Sequence, residues 1–265
     1  MTKSNILKIT FHSEKLHTVT DVNVIYPMNY LNDGEIHVGK KALEKLQVLY
    51  LIHGGTDDYS CWINNTMLAV FAEKYPQLLI VMPTVYDFHS VLREEDYLGY
   101  VSQELPMFIG RHFPVSEKRE DTFIAGLSMG GYFAWRIAFS NPERYACVGS
   151  FSSPLDIAED MRLRHMGATD YPSPEEITGN PGRDLFCMIE HCLCQKLPIP
   201  EMFQTCGTED MTYELNDKMR RFLGEKGLTH TYMEWSGGHT WEFWNCSIQK
   251  YLAWLPLKKG DVSDG

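Results

Sequence analysis

Three stretches of this chain are apolar at every position: Val48-Leu49-Tyr50-Leu51-Ile52, Leu78–Met82 and Phe123–Leu127. A strand with one wet face alternates apolar and polar residues, so an unbroken apolar run has both faces covered. Such runs are also too short to read as buried helices. They are expected to be neighbouring parallel strands in the middle of a sheet. Val148–Phe151 and Met202–Thr205 are weaker members of the set, and His230–Trp235 is the last.

Helical patterns lie between these runs: Trp62–Tyr75, Leu98–His112, Gly130–Ser140, Tyr213–Lys226 and Thr240–Leu255. Strand and helix alternating through right-handed crossovers give a doubly wound, mostly parallel α/β sheet. The N-terminal third differs. Ile6–Phe11 and Val19–Tyr26 are expected to form an antiparallel strand pair, followed by a turn-rich patch from Asn29 to Gly39. With 265 residues and no internal repeat or low-complexity linker, the whole of 1–265 reads as one domain.

One segment is out of pattern. Ser152–Pro200 is rich in Pro, Gly, Met and Cys, with two possible helices at Leu155–His165 and Asp184–Leu197. It is too long for an ordinary connection. Its apolar residues, such as Met161, Met166, Leu185 and Met188, argue against disorder. It begins past the C-terminal end of a strand, the edge where ligands sit in such sheets. A small cap insertion over the substrate pocket is expected.

Composition excludes several functions. The net charge of −11 opposes polyphosphate, so nucleic acid is not an expected partner, and it opposes a polybasic membrane contact. No apolar run reaches the length of a membrane span, and Lys8 and His12 interrupt the N-terminal apolar stretch, so no signal-peptide core is read there. The seven cysteines are odd in number, and several fall in apolar runs. Buried reduced thiols in a cytoplasmic protein are expected, with no metal site.

The chemistry is carried by Gly126-x-Ser128-x-Gly130, which follows a strand and opens a helix. That context is what a nucleophile elbow requires: a tight turn with small residues two positions either side of the serine. The serine then sits at a helix N-terminus, where amide donors favour negative charge. A serine hydroxyl needs a base, and in an α/β hydrolase the partners follow in the order Ser, acid, His. His239, in the glycine turn Ser236-Gly-Gly-His-Thr-Trp241, follows the last strand and opens the last helix, unlike His165, His191 or His230. Glu209 and Asp210 both end the preceding strand, and Asp210 is favoured as the acid. The oxyanion donors are expected from Met129, the residue after the nucleophile, and from Gly55 in the loop Ile52-His-Gly-Gly-Thr56. His53 is expected to hold that loop in shape. Trp62, Tyr86, Trp241 and Trp244 are candidate pocket aromatics, with Trp62 and Trp241 carried forward as substrate-binding.

The stretches LIHGGTDDYSCW (Leu51–Trp62), FIAGLSMGGYFAWRIA (Phe123–Ala138), CGTEDMTYELN (Cys206–Asn216) and GGHTWEFW (Gly237–Trp244) resemble the esterase D-like family of α/β hydrolases, in its tributyrin-esterase and feruloyl-esterase-like branch. The likeness runs from about Val48 to Leu255. It implies an α/β-hydrolase fold and a cofactor-free serine carboxylesterase, often a homo-oligomer, acting on short-chain acyl esters or acetyl and cinnamoyl esters of carbohydrates. The family's nucleophile, acid and base fall on Ser128, Asp210 and His239, and its oxyanion donors on Gly55 and Met129. Met211-Thr212-Tyr213 departs from the family's pattern after the acid, and the segment Asp156–Pro200 matches nothing in detail. An S-formylglutathione-type thioesterase and a non-catalytic binding module are the alternatives. The first usually lacks an HGG-like loop, and the second predicts triad damage that is absent.

Overall fold

The structure, a computed structural model, describes residues 4–27, 45–85, 91–164 and 172–258. Eight strands form one sheet: β1 (Ser4–Ser13), β2 (Thr18–Pro27), β3 (Gln47–Ile52), β4 (Leu78–Pro83), β5 (Thr122–Leu127), β6 (Cys147–Phe151), β7 (Glu201–Gly207) and β8 (His230–Trp235). Their order is β1-β2-β4-β3-β5-β6-β7-β8. The β1–β2 and β2–β4 pairs are antiparallel, and β4 through β8 run parallel. This is the mostly parallel α/β sheet with an antiparallel N-terminal pair that the apolar pattern predicts.

The unbroken apolar runs have a direct physical explanation. In β3, Val48, Tyr50 and Ile52 enter one core while Leu49 and Leu51 enter the other. In β4, Leu79 and Val81 face the first core, and Leu78, Ile80 and Met82 the second. Side chains alternate across a strand, so two dry faces demand an apolar residue at every position. One face is covered by α1 (Cys61–Asn65), α2 (Leu68–Ala72) and α10 (Trp241–Trp254). The other carries α3 (Val91–Gly99), α4 (Leu105–His112), α5 (Met129–Ser140), α6 (Ile157–Leu163), α7 (Pro174–Ile177), α8 (Leu185–Gln195) and α9 (Tyr213–Glu225).

Two helices differ from the expected spans. The stretch Trp62–Tyr75 is two helices, because Thr66 turns extended and its hydroxyl takes over backbone bonding, donating to Trp62 O and accepting from Leu68 N. A short hydroxyl side chain competes with the helix in this way. The helix expected from Leu98 begins at Val91 and passes through a π turn, Tyr100–Glu104, into α4. Pro106 in that run has no N–H for the Ser102 carbonyl, and the Arg144 guanidinium donates to it instead. The turn patch 29–39, Tyr86, His165 and Met166 lie outside the described residues.

Segment 152–200 holds α6, α7 and α8. Helix α8 packs against α5, and Phe186 meets Phe222 of α9 edge to face at 4.9 Å. Tyr132 Oη and Arg136 Nε of α5 donate to the carbonyls of Arg183 and Gly182, fastening the entry to α8. No helix among the described residues is long and apolar enough to cross a membrane.

A buried amide network locks the strand ends together. Asn216 on α9 donates from Nδ2 to Ser153 O at 2.9 Å and to Thr212 O at 2.8 Å. Gln204 of β7 donates from Nε2 to Asn216 Oδ1 at 2.9 Å. Loops after β6 and β7 are thereby tied to one side chain that is fully buried. Asn216→Leu leaves several buried polar groups unpaired, at about 1–3 kcal/mol each. The expected result is a loss of roughly 2–4 kcal/mol, or a Tm lower by roughly 5–15 °C, in a thermal melt. A Tm within 2 °C or so of wild type contradicts this account of the network.

Candidate active site

The strand order fixes where a ligand can bind. The crossover from β3 leads to β4 on one side, and the next crossover places β5 on the other side of β3. The loops after β3 and β5 therefore diverge, leaving a crevice at the carboxyl ends of these two strands. The loop after β3 carries Gly54 and Gly55, and the turn after β5 carries Ser128.

Ser128 sits at φ 50°, ψ −127°, between β5 and α5. For a residue with a side chain this backbone is strained. Its surroundings enforce it. Ser128 N donates to Phe151 O of β6 at 2.9 Å. A Cβ on Gly126 would lie 2.4 Å from the Gly130 carbonyl, and one on Gly130 would lie 2.0 Å from His53 O. Both positions require glycine because another backbone occupies the space.

His239 lies in the turn between β8 and α10. Its Nε2 is 3.0 Å from Ser128 Oγ, and its Nδ1 is 3.0 and 3.1 Å from the two carboxylate oxygens of Asp210. Asp210 also accepts from Thr212 N and Thr212 Oγ1, both at 2.8 Å. Burial pushes the Asp210 carboxyl up. The hydrogen bonds and charge of His239, and the bonds from Thr212, outweigh burial and hold it below its ordinary value. An ionised Asp210 can only accept, so Nδ1 carries the hydrogen and Nε2 presents its lone pair to Ser128. The arrangement can draw a proton from the serine hydroxyl while stabilising the imidazolium that results.

Glu209, the neighbouring acid, points elsewhere. Its carboxylate accepts from Gly237 N and from Ser236 Oγ at 3.2 Å, at the start of the histidine turn. It steadies that turn and makes no contact with the imidazole among the described residues.

Two backbone amides on the turns that border the crevice make no hydrogen bond among the described residues. Met129 is the first residue of α5, so its N–H has no acceptor within the helix. Gly55 N makes no hydrogen bond among the described residues. His53 shapes this loop. Val85 N can only donate, and it reaches His53 Nε2 at 2.9 Å, so Nδ1 carries the hydrogen and donates to Gly54 O at 2.6 Å. Burial drives the imidazole down to about 4.

The aromatic candidates separate. Trp62 is fully buried, donates from Nε1 to Ile52 O at 3.3 Å, and supports Trp241 edge to face at 5.6 Å. Trp241 is half-buried and meets Trp244, which in turn packs edge-on against His239 at 4.9 Å. Trp62 thus lies beneath the site, Trp241 nearer its surface, and Trp244 against the base. The seven cysteines are unpaired, and burial pushes Cys147 and Cys206 up to about 12, which keeps them as thiols.

The sequence profile of the Esterase family matches residues 13–255. An acetyl esterase from Caldicellulosiruptor saccharolyticus is 28% identical over 262 residues, covering 94% of this chain and 97% of that protein. The fold is similar to that of an S-formylglutathione hydrolase from Staphylococcus aureus, with a TM-score of 0.83 at 21% identity over 95% of this chain and 98% of that one. A ferulic acid esterase gives a TM-score of 0.76 at 19% identity, over 96% and 98% of the two chains.

The depressed basicity of His53 has a thermodynamic consequence. The unfolded imidazole charges near 6.5 and the folded one near 4. Between those values the unfolded state binds more protons, so stability falls as pH drops through the window and the loss is complete below about 4. His53→Gln keeps an acceptor for Val85 and a donor for Gly54 but does not titrate. The fall in Tm between pH 7 and pH 4.5 is expected to be smaller in this variant than in wild type. Equal falls contradict a neutral, loop-bracing His53.

Proposed function

The chain belongs to the Esterase family, and on that premise we propose that it hydrolyses short-chain carboxylic esters through an acyl-enzyme formed on Ser128. The observation that carries the reading is the continuous relay from Asp210 through His239 to Ser128, each link about 3.0 Å long. Ser128 Oγ attacks the ester carbonyl as its proton passes to His239 Nε2. Asp210 holds Nδ1–H and balances the imidazolium charge. The carbonyl oxygen becomes an oxyanion and takes hydrogen bonds from Met129 N and Gly55 N. The tetrahedral intermediate collapses, Nε2–H returns the proton to the alcohol oxygen, and the alcohol leaves. Water then repeats the sequence on the acyl-enzyme, releasing the acid and restoring Ser128.

The reaction needs no group beyond these side chains and amides. Short acyl groups, acetyl first among them, are favoured by the likeness to the acetyl esterase. We assign the cap role to the part of segment 152–200 ahead of α8, which includes α6 and α7. Seven unpaired thiols suit a reducing cytoplasm, and a homo-oligomer remains the proposed assembly.

Ser128→Ala is expected to lower kcat by about a million-fold with an unchanged circular dichroism spectrum. Asp210→Asn is expected to cost roughly 10³–10⁴-fold in kcat. Glu209→Gln should cost far less, since Glu209 meets the turn and not the imidazole. A larger loss for Glu209→Gln than for Asp210→Asn overturns the acid assignment.

The cap is tested with p-nitrophenyl esters from acetate to octanoate. Each methylene excluded by a short pocket forfeits roughly 1–3 kcal/mol of discrimination. The expected profile has kcat/KM falling beyond about six carbons. A profile that stays level to octanoate contradicts a pocket closed by the cap.

A further inference from the structure

A cavity of about 600 Å³ lies at the opposite end of the sheet from Ser128 and is not used by the reaction. Val48 and Thr122 border it at the starts of β3 and β5, whereas Ser128 follows the end of β5. The 6 residues of β5, rising about 3.3 Å each, separate the two places by roughly 20 Å. Pro106, Met107 and Arg111 of α4 line the cavity together with Tyr50, Val115 and Arg144. That volume, and the mixture of apolar surface with a few polar groups, are those of a small-molecule site.

The π turn Tyr100–Glu104 shapes the wall, and π turns of this kind are frequent at functional sites. Pro106 cannot donate to Ser102 O, so that carbonyl accepts from Arg144 Nη1, which fixes the guanidinium at the cavity. The rest of the guanidinium meets no carboxylate among the described residues. Arg111 reaches the Met107 sulfur at 3.4 Å and likewise has no acid partner among the described residues. Glu117, the acid of the lining, pairs with Lys45 at 3.9 Å. Tyr50 is only 2% exposed, yet its hydroxyl makes no hydrogen bond among the described residues. Burial and then the neighbouring Tyr145 push this phenol up, while the charge of Arg144 pulls the other way. Tyr50 is therefore a neutral donor within the field of Arg144. A buried hydroxyl is ordinarily satisfied. In a chain with 35 acidic and 24 basic residues, two arginines without an acid partner at one cavity are a mismatch that a ligand resolves.

We propose that this cavity binds a small monocarboxylate with an apolar body, its carboxylate held by Arg144, Arg111 and the Tyr50 hydroxyl and its body lying against Val48, Met107 and Val115. The planar fork of a guanidinium matches a carboxylate with two parallel N–H···O bonds. A phosphate dianion would use the same donors, but its second charge meets Glu117 and the negative field of a chain with net charge −11. A neutral apolar ligand would cover two guanidinium groups without pairing them, which costs free energy. The site does not depend on Ser128 being a nucleophile.

The test is isothermal titration calorimetry at neutral pH with 4-isopropylbenzoate, and with 4-isopropylbenzamide as its neutral isostere. Wild type is expected to bind the benzoate with a Kd below about 1 mM, and the amide at least about tenfold more weakly. Arg111→Gln and Arg144→Gln should each weaken benzoate binding by about tenfold or more. Tyr50→Phe should weaken it by roughly three- to tenfold. Arg111 is exposed, and Tyr50→Phe removes a hydroxyl that bonds to nothing else described, so these two variants decide the matter if Arg144→Gln fails to fold. Benzoate binding unchanged in either of them overturns the proposal, since the carboxylate then sits elsewhere. Equal affinity for acid and amide, no binding by wild type, or tighter binding of phenyl phosphate than of the benzoate also overturns it.

Discussion

The close approach of Gly130 to the carbonyls of Ile52 and His53 sets the dimensions of the whole site. A methyl group at that position would lie 2.0 Å from His53 O and 2.8 Å from Ile52 O. The first turn of α5 therefore rests directly on the end of β3. Ser128 and the loop bearing Gly55 are held at a fixed spacing by this contact, with no side chain between them to relax. The strained backbone at Ser128 persists because β5, β6 and α5 all determine it at once.

The other half of the site depends on polar groups that have no access to water. Asp210 has a side chain with 0% exposure, yet donors on two sides keep it charged. Thr212 fixes the carboxylate, Asn216 fixes Thr212, and Gln204 fixes Asn216. The orientation of the imidazole is thus traced back to β7 through four side chains. His53 does the corresponding work on the oxyanion side, where a neutral ring ties Val85 to Gly54. In both cases burial makes each bond matter more, since an unpaired partner could not turn to solvent.

The sheet was legible in the sequence because both of its faces are dry. That leaves β3, β4 and β5 with apolar residues at every position, which few other structures demand. The elbow was legible for a similar reason, as Gly126 and Gly130 answer to backbone contacts that tolerate nothing larger. Features set by single side-chain choices were not. Thr66 could not be seen to split a helix, because the same residue continues a helix elsewhere. Glu209 and Asp210 are adjacent acids at one strand end, and only the path of the turn sends one to Gly237 and the other to His239. Trp62 lies near the motif in sequence but beneath it in space. The length of 152–200 concealed an ordinary crossover helix, α8, seated on α5.

The central claim is that Ser128 is a nucleophile activated by His239. Covalent labelling with diisopropyl fluorophosphate, read by intact mass and peptide mapping, tests it most directly. The account predicts one adduct per chain, placed on Ser128, with labelling slowed by orders of magnitude in His239→Ala. An adduct on another residue, or a Ser128 adduct formed equally fast without His239, would contradict it.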